Sequence, residues 1–154
     1  MSNNKQNLLQ QATFGAGCFW GAEAAFQEIK GVVHSQVGLA RSEEINSPWI
    51  EVVQVDFDPN ETHYNELLAL FWKIPDPLSV DKQGHDIGEK YRSAIFTHSD
   101  EQTQLAILSK QQLQNEHYPN QAIVTVVTPL YEFELADEKD QNYIQKHGAG
   151  ACSI

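Results

Sequence analysis

Cys18 stands between a glycine-punctuated turn and an amphipathic stretch, in Phe14-Gly15-Ala16-Gly17-Cys18-Phe19-Trp20-Gly21. A thiol at the start of a helix sits among unpaired backbone N–H groups and at the positive end of the helix dipole. Both favour the thiolate, which is a nucleophile at neutral pH. The same string also suits a small buried hydrophobe beside a packing turn, because cysteine is among the most buried residue types. Glu51 is the second group of interest, in the alternating run Ile50-Glu51-Val52-Val53-Gln54-Val55-Asp56-Phe57. Side chains alternate across a strand, so Glu51 shares a face with Val53, Val55 and Phe57. A carboxyl group on that apolar face loses water, which raises its pKa and lets it hold a proton for general acid work. The opposing possibility is that the strand end frays and Glu51 bends to solvent. A second cysteine, Cys152, lies 134 positions later (152 minus 18), in the tail His147-Gly148-Ala149-Gly150-Ala151-Cys152-Ser153-Ile154. Small residues and glycine hold no fixed shape there, so this thiol is expected to travel.

The elements that must position these groups follow from periodicity and turn chemistry. Residues 1 to 10 form a loose polar lead-in. Ala12-Thr13-Phe14 ends a short strand, and Gly15 and Gly17 permit the turn after it. Phe19, Ala22, Phe26 and Ile29 recur at helical spacing, which predicts a helix from about residue 18 that stops at Gly31. Val33, Val37 and Leu39 share one parity and predict a half-buried strand over residues 32 to 39, followed by a loop over residues 40 to 48. After the strand at residues 50 to 57, Asp58-Pro59-Asn60 turns the chain. Thr62 is then expected to cap a helix whose Tyr64, Leu67, Leu68 and Phe71 make an apolar stripe. Residues 76 to 88 are rich in turn formers and long for a connection, a type of loop that often carries function. Residues 91 to 96 return to strand character. Ser99 with Gln102 offers a capping box for a helix to about Asn115, with Leu105, Leu108 and Leu113 facing inward. A strand over residues 123 to 128 and a short helix over residues 137 to 146 complete an order that suits an α+β sandwich, helices packed on a mixed sheet.

Composition bounds the function. A chain of 154 residues with 41% hydrophobic residues makes one compact domain over residues 1–154. The formal net charge of −11 argues against nucleic acid and against an anionic membrane surface as partners. The polar N-terminus has no apolar core of a signal peptide, and no run is long enough for a membrane span, so a cytoplasmic location is expected. Two cysteines in a reducing compartment point to catalysis or redox exchange rather than to a structural bridge. The six histidines show no ligand spacing, so neither a metal nor another cofactor is expected.

Gly17-Cys18-Phe19-Trp20-Gly21, followed by Glu23 and Phe26, resembles the nucleophile motif of the type A peptide methionine sulfoxide reductases. The resemblance continues through Glu51-Val52-Val53-Gln54-Val55 with Asp58-Pro59, through Phe71-Trp72-Lys73-Ile74 with Asp76-Pro77, and through Gln83-Gly84-His85-Asp86-Ile87-Gly88 with Tyr91-Arg92-Ser93. It implies a two-layer, ferredoxin-like mixed sheet with long irregular connections. It also implies a reaction. The Cys18 thiolate attacks the sulfur of methionine S-sulfoxide, peptide-bound or free, while Glu51, assisted by Tyr91, protonates the departing oxygen. Asp86 and Tyr91 orient the sulfoxide, and Phe19 and Trp20 seat its S-methyl group. Cys18, left as a sulfenic acid, condenses with Cys152, and thioredoxin or another dithiol reopens the disulfide.

The chain departs from the family pattern around the substrate. Leu39 replaces an active-site tyrosine, Pro48-Trp49 replaces a glycine-histidine pair, and the loop over residues 40 to 47 is short. An aromatic-proline and tyrosine-histidine pattern survives only in part over residues 133 to 141. A lost donor to developing charge lowers a rate on the order of 10²-fold. A divergent reductase with reduced or shifted activity is therefore expected, and Trp49 is expected to take over one pocket wall. Two other readings compete. A non-catalytic module would bind methionine or its sulfoxide without turnover, and a thiol redox sensor would form its disulfide faster with peroxide than with sulfoxide.

Overall fold

The computed structural model describes residues 8–148, so the residues before Leu8 and those after Gly148, Cys152 among them, lie outside the described residues. The chain runs through β1 (Gln10–Gly15), α1 (Phe19–Gln27), β2 (Val32–Arg41), β3 (Ile50–Phe57) and α2 (Tyr64–Phe71). A short hairpin of β4 (Lys82–Gln83) and β5 (Asp86–Ile87) follows, then β6 (Ala94–Thr97), α3 (Asp100–His117), β7 (Val126–Pro129), β8 (Glu132–Leu135) and α4 (Tyr143–His147). Six strands form one sheet in the order β7-β6-β1-β3-β2-β8, antiparallel except for the parallel β6–β7 pair. The expected α+β arrangement is present.

Alternation along the central strands divides the core. Phe14 of β1, Val37 of β2, Val53, Val55 and Phe57 of β3 and Ile95 of β6 point to one face. They meet Phe26 of α1, the Tyr64, Leu67, Leu68 and Phe71 stripe of α2, and Ala106 of α3. Phe14 stacks on Phe26 at 4.9 Å and on Phe71 at 5.3 Å between centroids, so rings from β1 and two helices meet at the centre. Contacts of this kind add to what burial alone contributes. On the opposite face Ala40, Ile50, Val52, Ala94 and Phe96 gather under Leu130 and Phe133. β3 is thus covered on both sides, which suits its run of valines.

Several local expectations are corrected. α1 ends at Gln27, and single turns with Glu28 N–H donating to Ala25 O and Ile29 N–H to Phe26 O carry the chain to Gly31, whose φ is 105°. Val33 is 56% exposed because the β2–β3 register shifts between Val32 and His34. That bulge leaves one residue unpaired and turns it outward. His63, not Thr62, holds the N-cap position of α2 and makes no side-chain capping bond; the Thr62 hydroxyl donates to Glu66 Oε2 instead, at 2.9 Å. Ser99 does cap α3, accepting from Gln102 N–H at 3.1 Å. Leu108, however, is 51% exposed, on the outer side of that helix. Tyr91 lies on a 3₁₀ turn, Glu89–Tyr91, rather than on a strand. The strand β8 has no counterpart in the sequence reading; only pairing with β2, from Gly38↔Leu135 to Arg41↔Glu132, makes it one.

Candidate active site

A cavity of about 570 Å³ opens at the N-terminus of α1. The turn before that helix is made by Gly17, whose φ of 87° suits glycine. Cys18 then occupies the N-cap position, and its carbonyl accepts the first helical bond, from Ala22 N–H at 3.3 Å. Cys18, Phe19 and Trp20 line one side of the cavity, and Cys18 is 7% exposed. β2 and β3 supply a second side through Leu39 and Glu51, which are direct cross-strand partners. Asp86 from β5 and Lys90 and Tyr91 from the following 3₁₀ turn form a third. Residues 134–137 and Asp140, at and beyond the end of β8, close it.

Glu51 projects from the same face as Val53, Val55 and Phe57, as the alternation requires, and is 8% exposed. Its Oε1 accepts from the Phe19 N–H, the first helical N–H after Cys18, at 3.3 Å. Its Oε2 lies 3.5 Å from Lys90 Nζ. Burial raises the Glu51 pKa above the usual carboxylic range; the Phe19 N–H and the Lys90 charge oppose that rise in part, and Asp86 adds to it. The acid and the sulfur are therefore tied to the same helix end. Lys90 Nζ also lies 5.1 Å from the centroid of the Tyr91 ring. Asp86 Oδ2 is buried without a hydrogen-bond partner among the described residues. A buried acceptor of that kind can take a donor from a bound molecule. Trp20 lines the cavity, donates from Nε1 to Asp140 Oδ1 at 3.2 Å and stacks on Tyr143 with centroids 3.8 Å apart.

The structure thus places Cys18, Phe19, Trp20, Glu51, Asp86 and Tyr91 around one cavity, while Cys152 lies outside the described residues. Leu39 is on the lining and Trp49 is not. Trp49 lies instead beneath the Arg41 guanidinium, 4.8 Å from Cζ to ring centroid, so the expectation that it walls the pocket does not hold. The sequence reading did not single out Lys90, Glu134, Asp137 or Asp140 as lining residues. Lys90 adjoins Tyr91 in the chain, and Glu134, Asp137 and Asp140 fall within residues 133 to 141, where the family pattern survives only in part. Among the described residues no group of three or more His, Cys, Asp or Glu side chains could hold a metal ion, and no helix is long and apolar enough to cross a membrane.

A family model described as "Peptide methionine sulfoxide reductase" matches residues 10–154. The chain is 43% identical over 150 residues to the peptide methionine sulfoxide reductase MsrA of Methanosarcina mazei, with 91% of this chain and 71% of the relative covered. Among solved structures, Mxr1 from Saccharomyces cerevisiae in reduced form superposes with a TM-score of 0.85 at 31% identity, over 96% of this chain and 90% of that one. Mxr1 in complex with Trx2 superposes with a TM-score of 0.67 at 29% identity, over 89% and 86%.

Proposed function

This chain belongs to the peptide methionine sulfoxide reductase family, and we propose that its cavity reduces methionine S-sulfoxide by transferring the sulfoxide oxygen to Cys18. The protein is an oxidoreductase acting on methionine sulfoxide through a thiol. As thiolate, Cys18 attacks the sulfoxide sulfur. Glu51 donates its proton to the oxygen as negative charge develops there, with the Tyr91 hydroxyl as a second donor. The S–O bond of the substrate breaks and methionine leaves. Cys18 carries the oxygen as a sulfenic acid: the substrate sulfur is reduced and the cysteine sulfur oxidised by the same two electrons. Phe19 and Trp20 offer the apolar wall for the S-methyl group, and Asp86 accepts from polar groups of the substrate.

Cys152 then condenses with the sulfenic acid, water leaves, and a dithiol reopens the disulfide by exchange. Thioredoxin fits the role of that dithiol, as Mxr1 is known in complex with Trx2. A cytoplasmic location agrees with two cysteines cycled by a cellular dithiol. The observation that carries this reading is the buried Glu51 carboxyl on the first N–H of the helix capped by Cys18. Its test is incubation of the reduced protein with a peptide containing racemic methionine sulfoxide and a dithiol, with the epimers resolved. The S epimer alone should disappear, and Cys18→Ser should abolish its loss; consumption of neither epimer would overturn the reading.

A further inference from the structure

Glu23 does not line the cavity, and it is 0% exposed. A carboxyl group in the interior is held there only by hydrogen-bond partners. Glu23 has one donor on each oxygen: Ser35 Oγ donates to Oε2 at 2.9 Å and Asn142 N–H donates to Oε1 at 2.7 Å. One donor comes from β2 and the other from the segment leading into α4. Gln27, one turn further along α1, donates from Nε2 to Ser35 Oγ at 2.9 Å and to Asn142 Oδ1 at 2.6 Å. Asn142 itself is left-handed, φ 56° and ψ 35°, a backbone that asparagine adopts more readily than other non-glycine residues and that turns the chain into α4. Next to it, Gln141 exchanges two bonds with the Val37 main chain, at 2.9 and 3.0 Å. The ring of Tyr143 lies on Trp20. The helix that presents Cys18 therefore also grips the root of the C-terminal tail.

We propose that Glu23 is a positioning residue for the second half of the reaction, fixing the point from which the tail delivers Cys152 to Cys18. The proposal rests on the reductase reading above. Cys152 follows His147, the last residue of α4, by five positions (152 minus 147). Five residues span at most roughly 17 Å when fully extended. A tether that short gives a high effective concentration when its root is close and almost none when the root moves away. The root here is beside the cavity, because Tyr143 stacks on a lining residue. In the step concerned, the S–O bond of the Cys18 sulfenic acid breaks and an S–S bond to Cys152 forms. The Cys152 sulfur is oxidised, the Cys18 sulfur is reduced, and the oxygen leaves with the thiol proton as water. Glutamine at position 23 must place its amide nitrogen either against the Asn142 N–H, which cannot accept, or against the Ser35 hydroxyl, which must then turn its proton away and give up donating, so the latch is weakened in either case.

The experiment mixes reduced protein with one equivalent of a methionine sulfoxide peptide, without added reductant. It follows methionine release, disulfide formation and trapping of sulfenic acid by dimedone. In Glu23→Gln, methionine release is expected within about twofold of the parent rate, with disulfide formation at least tenfold slower and dimedone adduct increased. Equal slowing of both steps, or no slowing of either, would overturn the proposal. Where Glu23→Gln does not fold, Ser35→Ala, which removes one donor only, is expected to show the same split; parent rates for both of its steps would overturn the proposal. No methionine release from the parent protein would instead remove the reductase reading, and the latch with it.

Discussion

Glu51 illustrates how one residue is given a task by its surroundings. Its folded pKa is raised, chiefly by burial. A raised carboxyl favours the fold while protonated: its stabilising effect is complete below the ordinary pKa of a free carboxyl group and is lost as pH climbs through the higher folded value. Glu51→Gln should therefore gain stability relative to the parent between pH 4 and pH 7, measured by urea denaturation at both. The same substitution removes the acid, so turnover should fall on the order of 10²-fold or more. The decline in parent kcat/KM as pH rises through the Glu51 pKa should disappear as well, and a variant that kept this limb would show that another group donates the proton. Leu39 lines the cavity opposite Glu51 on the neighbouring strand, where the family resemblance implies a tyrosine. We expect Leu39→Tyr to supply a further donor to the sulfoxide oxygen and raise kcat about tenfold, within the range such donors command; an unchanged kcat with a higher KM would mean that the ring only fills space.

At the scale of elements, the cavity depends on β8 lying close against β2. Gly38 makes that approach possible, since a Cβ there would collide with Glu134 O and stand 2.8 Å from the Phe133 ring. Those neighbours are backbone and a packed ring, which yield little. Gly38→Ala should push β8 outward and destabilise the protein by about 1–3 kcal/mol, as overpacking does. Because Glu134 and Leu135 line the cavity, KM should rise more than kcat falls. Denaturation and steady-state kinetics on one preparation check both, and a change in stability alone would detach β8 from substrate binding. The latch at Glu23 belongs to this scale too: it couples α1, β2 and the approach to α4 through side chains that do no chemistry.

For the whole molecule, charge is the dominant property. The net charge is −11, and Asp86, Glu134, Asp137 and Asp140 bring part of it to the cavity, with Lys90 the one Lys or Arg on its lining among the described residues. Such a field attracts cationic substrates and is screened by salt. Methionine sulfoxide peptides flanked by lysine should therefore be reduced with higher kcat/KM than peptides flanked by glutamate. The ratio should be about tenfold at low ionic strength and should shrink toward one in high salt. Equal values for the two peptides at low salt would show that the acidic wall does not reach the substrate.

The residues that could carry chemistry were legible locally. Cys18 followed from glycines and helical spacing on either side of it, and Glu51 from alternation within a single strand. Asp86 and Tyr91 followed from family likeness in a loop that periodicity could not describe. These are properties of neighbouring residues, and backbone geometry converts them directly into a helix end or a strand face. The tertiary structure decided what depends on partners distant in the chain. A register shift against β3 turned Val33 outward, and pairing with β2 made a strand of residues 132–135. The fold brought Lys90 to Glu51 and left Trp49 under Arg41 rather than in the pocket. Glu23 was visible only as part of a motif; its role as a latch exists because Asn142, 119 residues away, returns to the same helix. Contacts of that separation are set by packing of the whole chain, and no local pattern encodes them.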